Sequence, residues 1–232
     1  MSEKTGRTVA SEAELPKDLY FGDSYFEKAQ LHSFVMQLHH IYKLRPKRIL
    51  EIGKGNGFVS DFLKKAGFDV VTFDINESLE PDIVGSVTDL DRYVDPGGFD
   101  LVVCAEVLEH LPFDLFPGVV HQIAKATRSK AFVTIPRAQR ILIDFQCRLR
   151  LPKIGVKEFG CFLSRRGRAI WEGHHWEIDC SEECREREIR KHFLRFFEIG
   201  SFEREKGNPY HMFATLQVRP DVPEEFTPAA GA

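Results

Sequence analysis

The sequence predicts an α/β protein with a doubly wound, mostly parallel seven-stranded sheet, an antiparallel last strand and a basic insertion after strand five. Short apolar segments alternate with helical segments between residues 48 and 136, and such alternation is typical of a parallel sheet covered on both faces. A glycine-rich turn follows the first apolar segment. The last two apolar segments are joined by a loop containing Gly207-Asn208-Pro209, which predicts that they pair antiparallel.

Composition divides the 232-residue chain into three parts. Residues 1–45 are predicted to form an N-terminal tail, which is polar and loose over its first fifteen residues, and a capping helix. Residues 46–218 are the predicted domain, within which residues 137–173 form a cap insertion. Residues 219–232 are rich in proline and alanine and are predicted to be a disordered tail.

Each element has its own local signal. Ser24 and Glu27 form a predicted capping box, and the helix after it is expected to end at Pro46. The apolar residues of this helix recur at helical spacing, at Leu31, Phe34, Val35, Leu38 and Ile41. The predicted strands are 48–52, 69–73, 82–84, 99–104, 131–135, 196–203 and 211–218. The predicted helices after the first are 58–65, 113–127 and 181–195. In the helix 58–65, Phe58, Phe62 and Leu63 are expected to point inward.

The overall composition excludes several classes of protein. A net charge of -3 does not by itself indicate a nucleic-acid or membrane partner, and no apolar run has the length of a transmembrane segment. The polar start shows no signal peptide, so a cytoplasmic protein is expected. The five cysteines form no C-x-x-C pair, which favours reduced thiols, although Cys180 and Cys184 lie close enough to His174 in sequence for a zinc site.

The insertion has an unusual charge. It carries nine Lys or Arg between Arg137 and Arg168 against Asp144 and Glu158, a local charge of +7 in a chain whose remainder carries -10. Three interpretations stay open: a solvated cap, a surface that binds an anionic acceptor or a membrane, and a site for RNA phosphates. Because the insertion follows strand five, at the edge where ligands of such sheets bind, we expect it to close over an acceptor.

Three sequence motifs lie at the ends of predicted parallel strands. The first is Glu51-Ile52-Gly53-Lys54-Gly55-Asn56-Gly57, in which glycine permits a tight turn and close approach of a ligand. The second is Asp74, whose carboxylate oxygens can accept hydrogen bonds from both hydroxyls of a ribose. The third is the segment 99–112, which ends in Ala-Glu-Val-Leu-Glu-His-Leu-Pro. Together these motifs resemble those of the class I S-adenosylmethionine-dependent methyltransferases, which share a Rossmann-like fold.

The resemblance implies a site for S-adenosylmethionine (SAM). It implies that Glu51 and the turn of Gly53, Gly55 and Gly57 hold the methionine end of the cofactor. It also implies that Asp74 binds the ribose.

The resemblance likewise implies the contacts of the adenine and of the sulfonium. Ile75 would pack on the adenine, and the backbone of Ser86 and Val87 would bond its edge. Ala105 and Glu106 would lie beside the sulfonium. The sequence departs from the family at Ser86, where relatives often have an aspartate facing the adenine amino group.

The methyl acceptor is expected near three histidines. Glu106, Glu109 and His110 have the i, i+3, i+4 spacing that shares one face of a helix. The segment also resembles one that binds a divalent metal in the ubiquinone-pathway O-methyltransferases and the small-RNA 2′-O-methyltransferases, which add a later histidine. His174 or His175 is the candidate for that place, and a structural helix N-terminus without metal is the alternative.

The sequence also marks aromatic residues near the acceptor. Trp176 is a candidate for stacking on a planar substrate, with a packed surface turn as the alternative. Tyr20, Phe21, Tyr25 and Phe26 could form a lid over the cofactor or only hold the first helix in place.

Methyl transfer to an oxygen or nitrogen of a small-molecule or lipid-like acceptor is therefore the expected function. Two alternatives stay open: an RNA 2′-O-methyltransferase and a cofactor-binding protein without catalysis. The fourth strand lacks the Asn/Asp-Pro-Pro-Tyr type of motif, which argues against methylation of a nucleic-acid base.

Overall fold

The protein contains a seven-stranded main sheet and a separate two-stranded ribbon. A computed structural model describes residues 9–153 and 155–226. The strands of the main sheet are β1 (Arg48–Ile52), β2 (Asp69–Asp74), β3 (Ile83–Val84), β4 (Phe99–Ala105), β5 (Thr127–Pro136), β8 (Phe197–Arg204) and β9 (His211–Val218), and those of the ribbon are β6 (Gln139–Leu151) and β7 (Gly155–Arg166).

Helices connect the strands. The α-helices are α1 (Val9–Ala13), α2 (Asp23–Phe26), α3 (Lys28–Leu44), α4 (Phe58–Lys65), α5 (Phe116–Ala126) and α6 (Glu186–Leu194). Short 3₁₀ helices cover Lys17–Phe21, Glu77–Leu79, Val87–Arg92, Leu108–His110 and Phe113–Leu115. Among the helices of the described residues, none combines the length and apolar character that a membrane span requires.

The sheet confirms the predicted fold class. Its strand order is β3-β2-β1-β4-β5-β9-β8. Strands β1 to β5 pair in parallel, whereas β9 runs antiparallel to both β5 and β8. The parallel strands are nearly continuous apolar runs because helices cover both of their faces. Consequently the carboxyl ends of β1, β2 and β4, where the three motifs lie, meet at one edge.

Two apolar layers hold the sheet between the helices. On one face, Phe34 and Ile41 of α3 and Val59 and Leu63 of α4 are buried against the strands. On the other face, α5 and α6 pack together with the fully buried Phe116 and Phe193. This layered packing fixes the strands rigidly and so positions the residues at the carboxyl edge.

The start of the first long helix differs from the prediction. Ser24 and Glu27 do not form a capping box: Ser24 lies within α2, and α3 begins at Lys28, with Glu27 as an N-cap that makes no side-chain hydrogen bond. Val35, predicted to be buried, is 54% exposed. The helix ends as expected before Pro46, with Arg45 in the left-handed region at φ 53°.

Helix α4 has the predicted bounds but a different buried face. Phe58 and Phe62, predicted to point inward, are 41% and 57% exposed, whereas Val59 and Leu63 are buried. Phe58 instead stacks on Phe34 of α3, with 5.2 Å between ring centroids. Because α4 starts directly after the left-handed Gly57, the turn rather than the local apolar pattern sets the rotation of the helix.

The chain after Arg219, predicted to be disordered, lies against α5 as far as Phe226. Nε2 of His121 is 2.6 Å from the carbonyl oxygen of Pro223, and Lys125 donates to the carbonyl oxygen of Glu224 at 2.9 Å. The ring of Phe226 lies 5.9 Å from that of His121. The rest of the predicted tail, residues 227–232, is outside the described residues, as are residues 1–8.

The predicted cap insertion forms a long β-hairpin. Strands β6 and β7 pair antiparallel from Gln139–Arg166 at the base to Leu151–Gly155 at the tip. The hairpin leaves the domain after Pro136 at the carboxyl edge of β5, which is the edge that the sequence analysis required. Closure of this segment over an acceptor stays a prediction.

Candidate cofactor and acceptor site

The glycine-rich turn after β1 has a backbone that only glycine adopts readily. Gly53, Gly55 and Gly57 have φ angles of 81°, 53° and 76°, all in the left-handed region. A Cβ at Gly53 would also lie 2.3 Å from Cγ2 of Val107. The amide of Gly53 donates to the carbonyl of Phe73 at 2.8 Å. The turn is therefore fixed against the end of β2.

Asp74 joins this turn to the end of β2. Its Oδ1 accepts a hydrogen bond from the amide of Asn76 at 2.9 Å, and its Oδ2 lies 3.4 Å from the amide nitrogen of Gly55. The residue is 8% exposed, and burial raises the pKa of its carboxyl, although the backbone amides oppose the shift. The carboxylate is held rigidly beside the turn, as a ribose-binding group requires.

Glu51 is a buried carboxyl beneath the same turn. It is 6% exposed, and burial raises the pKa of its side chain to about 8, against an opposing hydrogen bond from Ser60. Within the described residues its Oε2 has no hydrogen-bond partner. An unpartnered buried carboxyl at this place fits the ammonium group of a methionine moiety.

The residues implied for the adenine lie beside Asp74. Ile75 follows it directly and is half-buried. The amide of Gly85 donates to the carbonyl of Asp74 at 2.9 Å, which brings the start of the next turn, Ser86, to the same edge. The side chain of Val87 is buried in the core, so of this residue only the backbone is placed for a ligand.

Glu106 follows β4 directly, after the half-buried Ala105, and has a strained conformation. Its φ is 54°, which is uncommon for a residue with a side chain. Its Oε1 accepts from Thr134 Oγ1 at 2.7 Å, and its Oε2 lies 3.3 Å from Nε2 of His211. The predicted helix that would align Glu106 with Glu109 is wrong, because the left-handed residue is followed only by the 3₁₀ turn Leu108–His110.

Even so, the structure brings together three of the residues predicted near the acceptor. Glu109, His110 and His174 each offer one ligand atom, and these atoms lie within 4.8 Å of one another. The rings of His110 and His174 meet edge to face at 4.9 Å. Glu109 is fully buried, and burial and the nearby Glu106 carboxylate raise the pKa of its side chain. We call these three residues the acceptor cluster.

The orientation of His174 is fixed by Glu177. Nδ1 of His174 lies 3.0 Å from Oε1 of Glu177. That carboxylate is fully buried, also accepts from the amide of Trp171 at 2.7 Å and pairs with Arg168. A carboxylate at Nδ1 favours the tautomer with a proton there, so Nε2 keeps a lone pair for a proton or a metal.

His175 joins the site through its backbone. Its amide donates to the carbonyl of Glu109 at 2.8 Å, which attaches the segment 171–176 to the end of β4. His174 and His175 were the two candidates for a histidine near the acceptor, and His174 supplies its side chain to the acceptor cluster.

Trp176 packs against the protein, so it is not available for stacking on a substrate. Trp176 is 2% exposed, donates its indole N–H to the carbonyl of Leu111 at 3.1 Å and packs in the core. Trp171 is 44% exposed, and its ring lies 5.7 Å from that of His174. The guanidinium of Arg168 lies 4.6 Å from the indole centroid. Trp171 is therefore an exposed aromatic residue beside His174.

His211 is a second residue that the sequence analysis missed. It is 1% exposed and lies between Glu106 and Ser33 of α3, whose Oγ is 3.0 Å from its Nδ1. It begins β9, and nothing in its local sequence distinguishes it from other strand residues. Only the antiparallel pairing of β9 with β5 places it next to Glu106.

The N-terminal segment crosses the carboxyl edge above all three motifs. A Cβ on Gly55 would lie 3.8 Å from the ring of Tyr20. The side-chain amide of Asn76 donates to the carbonyl of Leu15 at 2.8 Å, and Nδ1 of His110 lies 3.5 Å from Glu12. This path supports the expectation that Tyr20 is part of a lid, which stays a prediction.

The acceptor cluster fits a divalent cation in its chemistry. Two imidazoles and one carboxylate suit several transition metals, and neither oxygen of Glu109 has a hydrogen-bond partner of normal geometry within the described residues. The contact between His174 and Glu177 matches the second-sphere carboxylate found behind metal-bound histidines. The ligand group found in the described residues contains neither Cys180 nor Cys184.

Comparison with known proteins relates this fold and site to methyltransferases. A family described as a methyltransferase domain matches residues 25–166, more than half of the chain. The ubiquinone biosynthesis O-methyltransferase of Methylococcus capsulatus is 25% identical over 146 residues, which are 55% of this chain and 62% of that protein. The chain thus matches less than two thirds of that relative's length.

Solved structures show the same fold. A protein from Pyrococcus horikoshii OT3 has a TM-score of 0.54 at 13% identity, over 82% of this chain and 92% of that chain. The magnesium protoporphyrin IX methyltransferase of Synechocystis PCC 6803 with bound SAH has a TM-score of 0.51 at 14% identity, over 94% and 90% of the two chains. At these identities the similarity concerns the fold alone.

Proposed function

Because the chain belongs to the methyltransferase-domain family, we propose that it transfers the methyl group of SAM to an oxygen, or alternatively a nitrogen, of a small-molecule or lipid-like acceptor. The observation that carries the proposal is the convergence of three groups at one sheet edge: the left-handed glycine turn, the anchored carboxylate of Asp74 and the end of β4 at Glu106. Each would contact a different part of SAM: the turn its methionine end, Asp74 its ribose and Glu106 its sulfonium.

The chain's own residues supply binding and orientation of the cofactor. Glu51 and the turn from Gly53 to Gly57 would hold the methionine moiety, and Asp74 would accept hydrogen bonds from the ribose hydroxyls. Ile75 and the backbone at Ser86 would bind the adenine. When bound, SAM supplies a methyl group that its sulfonium has already activated, so the alignment of the acceptor accounts for much of the rate.

The acceptor cluster would prepare the acceptor oxygen. Nε2 of His174 keeps a lone pair because Glu177 holds the opposite nitrogen, so it is the candidate general base for a hydroxyl proton. Trp171 lies beside it at the surface and would contact a planar or apolar part of the acceptor.

A divalent cation would be held by Glu109, His110 and His174. Its chemistry at that place would be to lower the pKa of the acceptor hydroxyl. Without a cation, His174 would take the hydroxyl proton, whereas with one the three residues would hold the cation beside the acceptor oxygen.

An RNA 2′-hydroxyl is an alternative acceptor with the same chemistry. The basic hairpin favours it by charge, but the exposed side chains of the hairpin include many large aliphatic residues, which suit an apolar partner better than a polyanion. A protein that binds SAM without transferring its methyl group is the other alternative.

Calorimetry with SAM, S-adenosylhomocysteine and NAD tests the proposal. We expect micromolar-range binding of both sulfur compounds and none of NAD, because the turn lacks the third glycine of a dinucleotide motif. Radiolabelled methyl transfer to a panel of phenols, lipids and short RNAs then identifies the acceptor class. Absence of binding heat with both SAM and S-adenosylhomocysteine would refute the proposal. Binding of SAM without methyl transfer to any acceptor of the panel would favour the non-catalytic alternative.

We expect the affinity for SAM to increase with pH between about 6 and 7.5. With its pKa raised to about 8, the Glu51 carboxyl of the empty protein is protonated in this range. Pairing with the methionine ammonium favours its ionised form, so binding releases a proton and strengthens by at most about tenfold per pH unit.

Calorimetry across this pH range measures how steeply the affinity for SAM rises with pH. Glu51→Gln should flatten this rise, whereas Glu198→Gln, at an exposed position on β8, should leave it unchanged. An equal slope in the wild type and Glu51→Gln would show that Glu51 does not contact the charged end of the cofactor.

A further inference from the structure

The β6–β7 hairpin, here called the hairpin arm (residues 139–166), has one face that is almost entirely apolar. Residues directly opposite in an antiparallel pair share a face. The register places Ile143 opposite Leu163 and Cys147 opposite Phe159. Alternation along the strands adds the remaining members, so the large side chains of this apolar face are Ile143, Phe145, Leu149, Leu151, Phe159 and Leu163.

These six side chains are exposed. Their exposed fractions run from 37% for Leu151 to 56% for Phe159. A continuous apolar surface of this kind is uncommon on a protein without a partner and marks an interaction site. The apolar face therefore requires an explanation outside the domain itself.

The opposite face of the hairpin arm contacts the domain. Gln146 donates to the carbonyl of Lys206 at 2.6 Å. Arg204 places its guanidinium 5.4 Å from the ring centroid of Phe162 and donates to Gln139 at 2.6 Å. Successive side chains alternate between faces, and the register shift between Ile141 and Ile143 puts Gln139 on the same face as Gln146 and Phe162. These contacts therefore turn the apolar face away from the loop between β8 and β9.

Cations surround the apolar face. Arg140 and Arg165 pair at its base, and Lys157 lies on it near the tip, opposite Leu149. The hairpin arm carries seven basic residues against two acids, Asp144 and Glu158, whereas the chain as a whole has a charge of -3. Apolar side chains between cations suit the boundary of an anionic bilayer, where acyl chains lie beneath negative headgroups.

Two other occupants fit less well. A second copy of the chain would bring two basic hairpin arms together, and like charges across an interface disfavour association. RNA would need cations and stacking groups on the same surface, but the centre of the apolar face is built from Ile143, Phe145, Leu163 and the exposed Cys161. We propose that the hairpin arm docks the protein on anionic membranes through its apolar face.

Membrane docking is tested by flotation of the full chain with vesicles. We expect binding to vesicles of phosphatidylcholine mixed with phosphatidylglycerol, and much weaker binding to phosphatidylcholine alone. Salt should reduce the bound fraction, because screening shortens from about 10 Å at 0.1 M to about 3 Å at 1 M. The double variant Phe145→Ser, Phe159→Ser should lower the partition coefficient by about tenfold or more, since each ring contributes its burial to binding.

Matched variants separate the two parts of the surface. Val156→Ser alters an equally exposed residue that pairs with Arg150 on the opposite face, and it should bind as the wild type does. Lys157→Glu alters the cation that lies on the apolar face, opposite Leu149, and it should reduce the preference for anionic lipid. Unchanged SAM affinity in every variant shows that the domain is folded, and this readout also keeps the test separate from the proposed methyl transfer.

Three results would overturn the proposal. The first is equal flotation of the Phe145→Ser, Phe159→Ser variant and the Val156→Ser variant. The second is no flotation together with self-association that the double variant abolishes, which would assign the apolar face to a second copy. The third is no flotation together with salt-dependent RNA binding that requires Arg148 and Arg150.

Discussion

Replacing His174 with alanine is expected to lower kcat by about 10²–10⁴-fold, the usual contribution of a positioned acid or base, while the affinity for SAM stays unchanged. The side chain lies in the acceptor cluster, 4.9 Å from His110 between ring centroids, and its lone pair is directed by Glu177. Steady-state methyl transfer and calorimetry with SAM measure the two quantities independently.

Two further variants make this test specific. His175→Ala should lose far less activity, because the acceptor cluster takes its side chains from Glu109, His110 and His174, and the alanine variant keeps the amide hydrogen bond to Glu109. His39→Ala, at an exposed position on α3, serves as the control. Full activity of the His174→Ala protein with an otherwise competent acceptor would remove His174 from the reaction.

A chelator distinguishes the two ways in which the acceptor cluster can act. Loss of wild-type turnover in EDTA, restored by a divalent ion, would assign Glu109, His110 and His174 as metal ligands. Turnover unaffected by EDTA would assign His174 as a general base. Glu177→Gln should lower kcat in both cases, because a neutral amide holds the imidazole tautomer less well than a carboxylate.

Replacing Asp74 with alanine is expected to weaken SAM binding by about 1–3 kcal/mol, or about 5–150-fold, the cost of leaving charge-assisted hydrogen-bond donors without their acceptor. In the structure this carboxylate is held between Gly55 and Asn76, so the ribose would meet a group that is already in position. Calorimetry with SAM gives the difference directly.

The same strand offers a control for Asp74. Asp69 begins β2, and its side chain is 64% exposed beside Arg48. Asp69→Ala should leave SAM affinity unchanged, because exposed ion pairs contribute little and the residue is at the opposite end of the strand. Equal affinities of the Asp74→Ala and wild-type proteins would separate Asp74 from the cofactor site.

Local sequence determined the fold class and the places of the glycine turn and Asp74 at the carboxyl edge of the sheet. Strand β1 and helix α4 have the predicted bounds, and β2 and β4 each end one residue beyond theirs. The glycine turn and Asp74 could be predicted because each lies where a strand ends, and parallel strands bring their carboxyl ends to one edge whatever packs around them. Their positions follow from chain order and the two-residue period of strands.

Only the tertiary structure decided the acceptor side. Helical spacing predicted one shared face for Glu106, Glu109 and His110, but Glu106 has a left-handed backbone. Trp176 could be predicted either to stack on a substrate or to pack, and it is in the core. His174 reaches the acceptor cluster through the contact of its segment with the end of β4.

His211 and the hairpin arm also show which features the sequence determined and which only the tertiary structure decided. The sequence by itself determined that β9 exists and that the insertion is basic. The pairing of β9 with β5 decided that His211 meets Glu106, and the register of β6 with β7 decided which side chains share the apolar face. Contacts between segments distant in the chain depend on packing and register, because a shift of one residue turns every side chain of a strand to its other face.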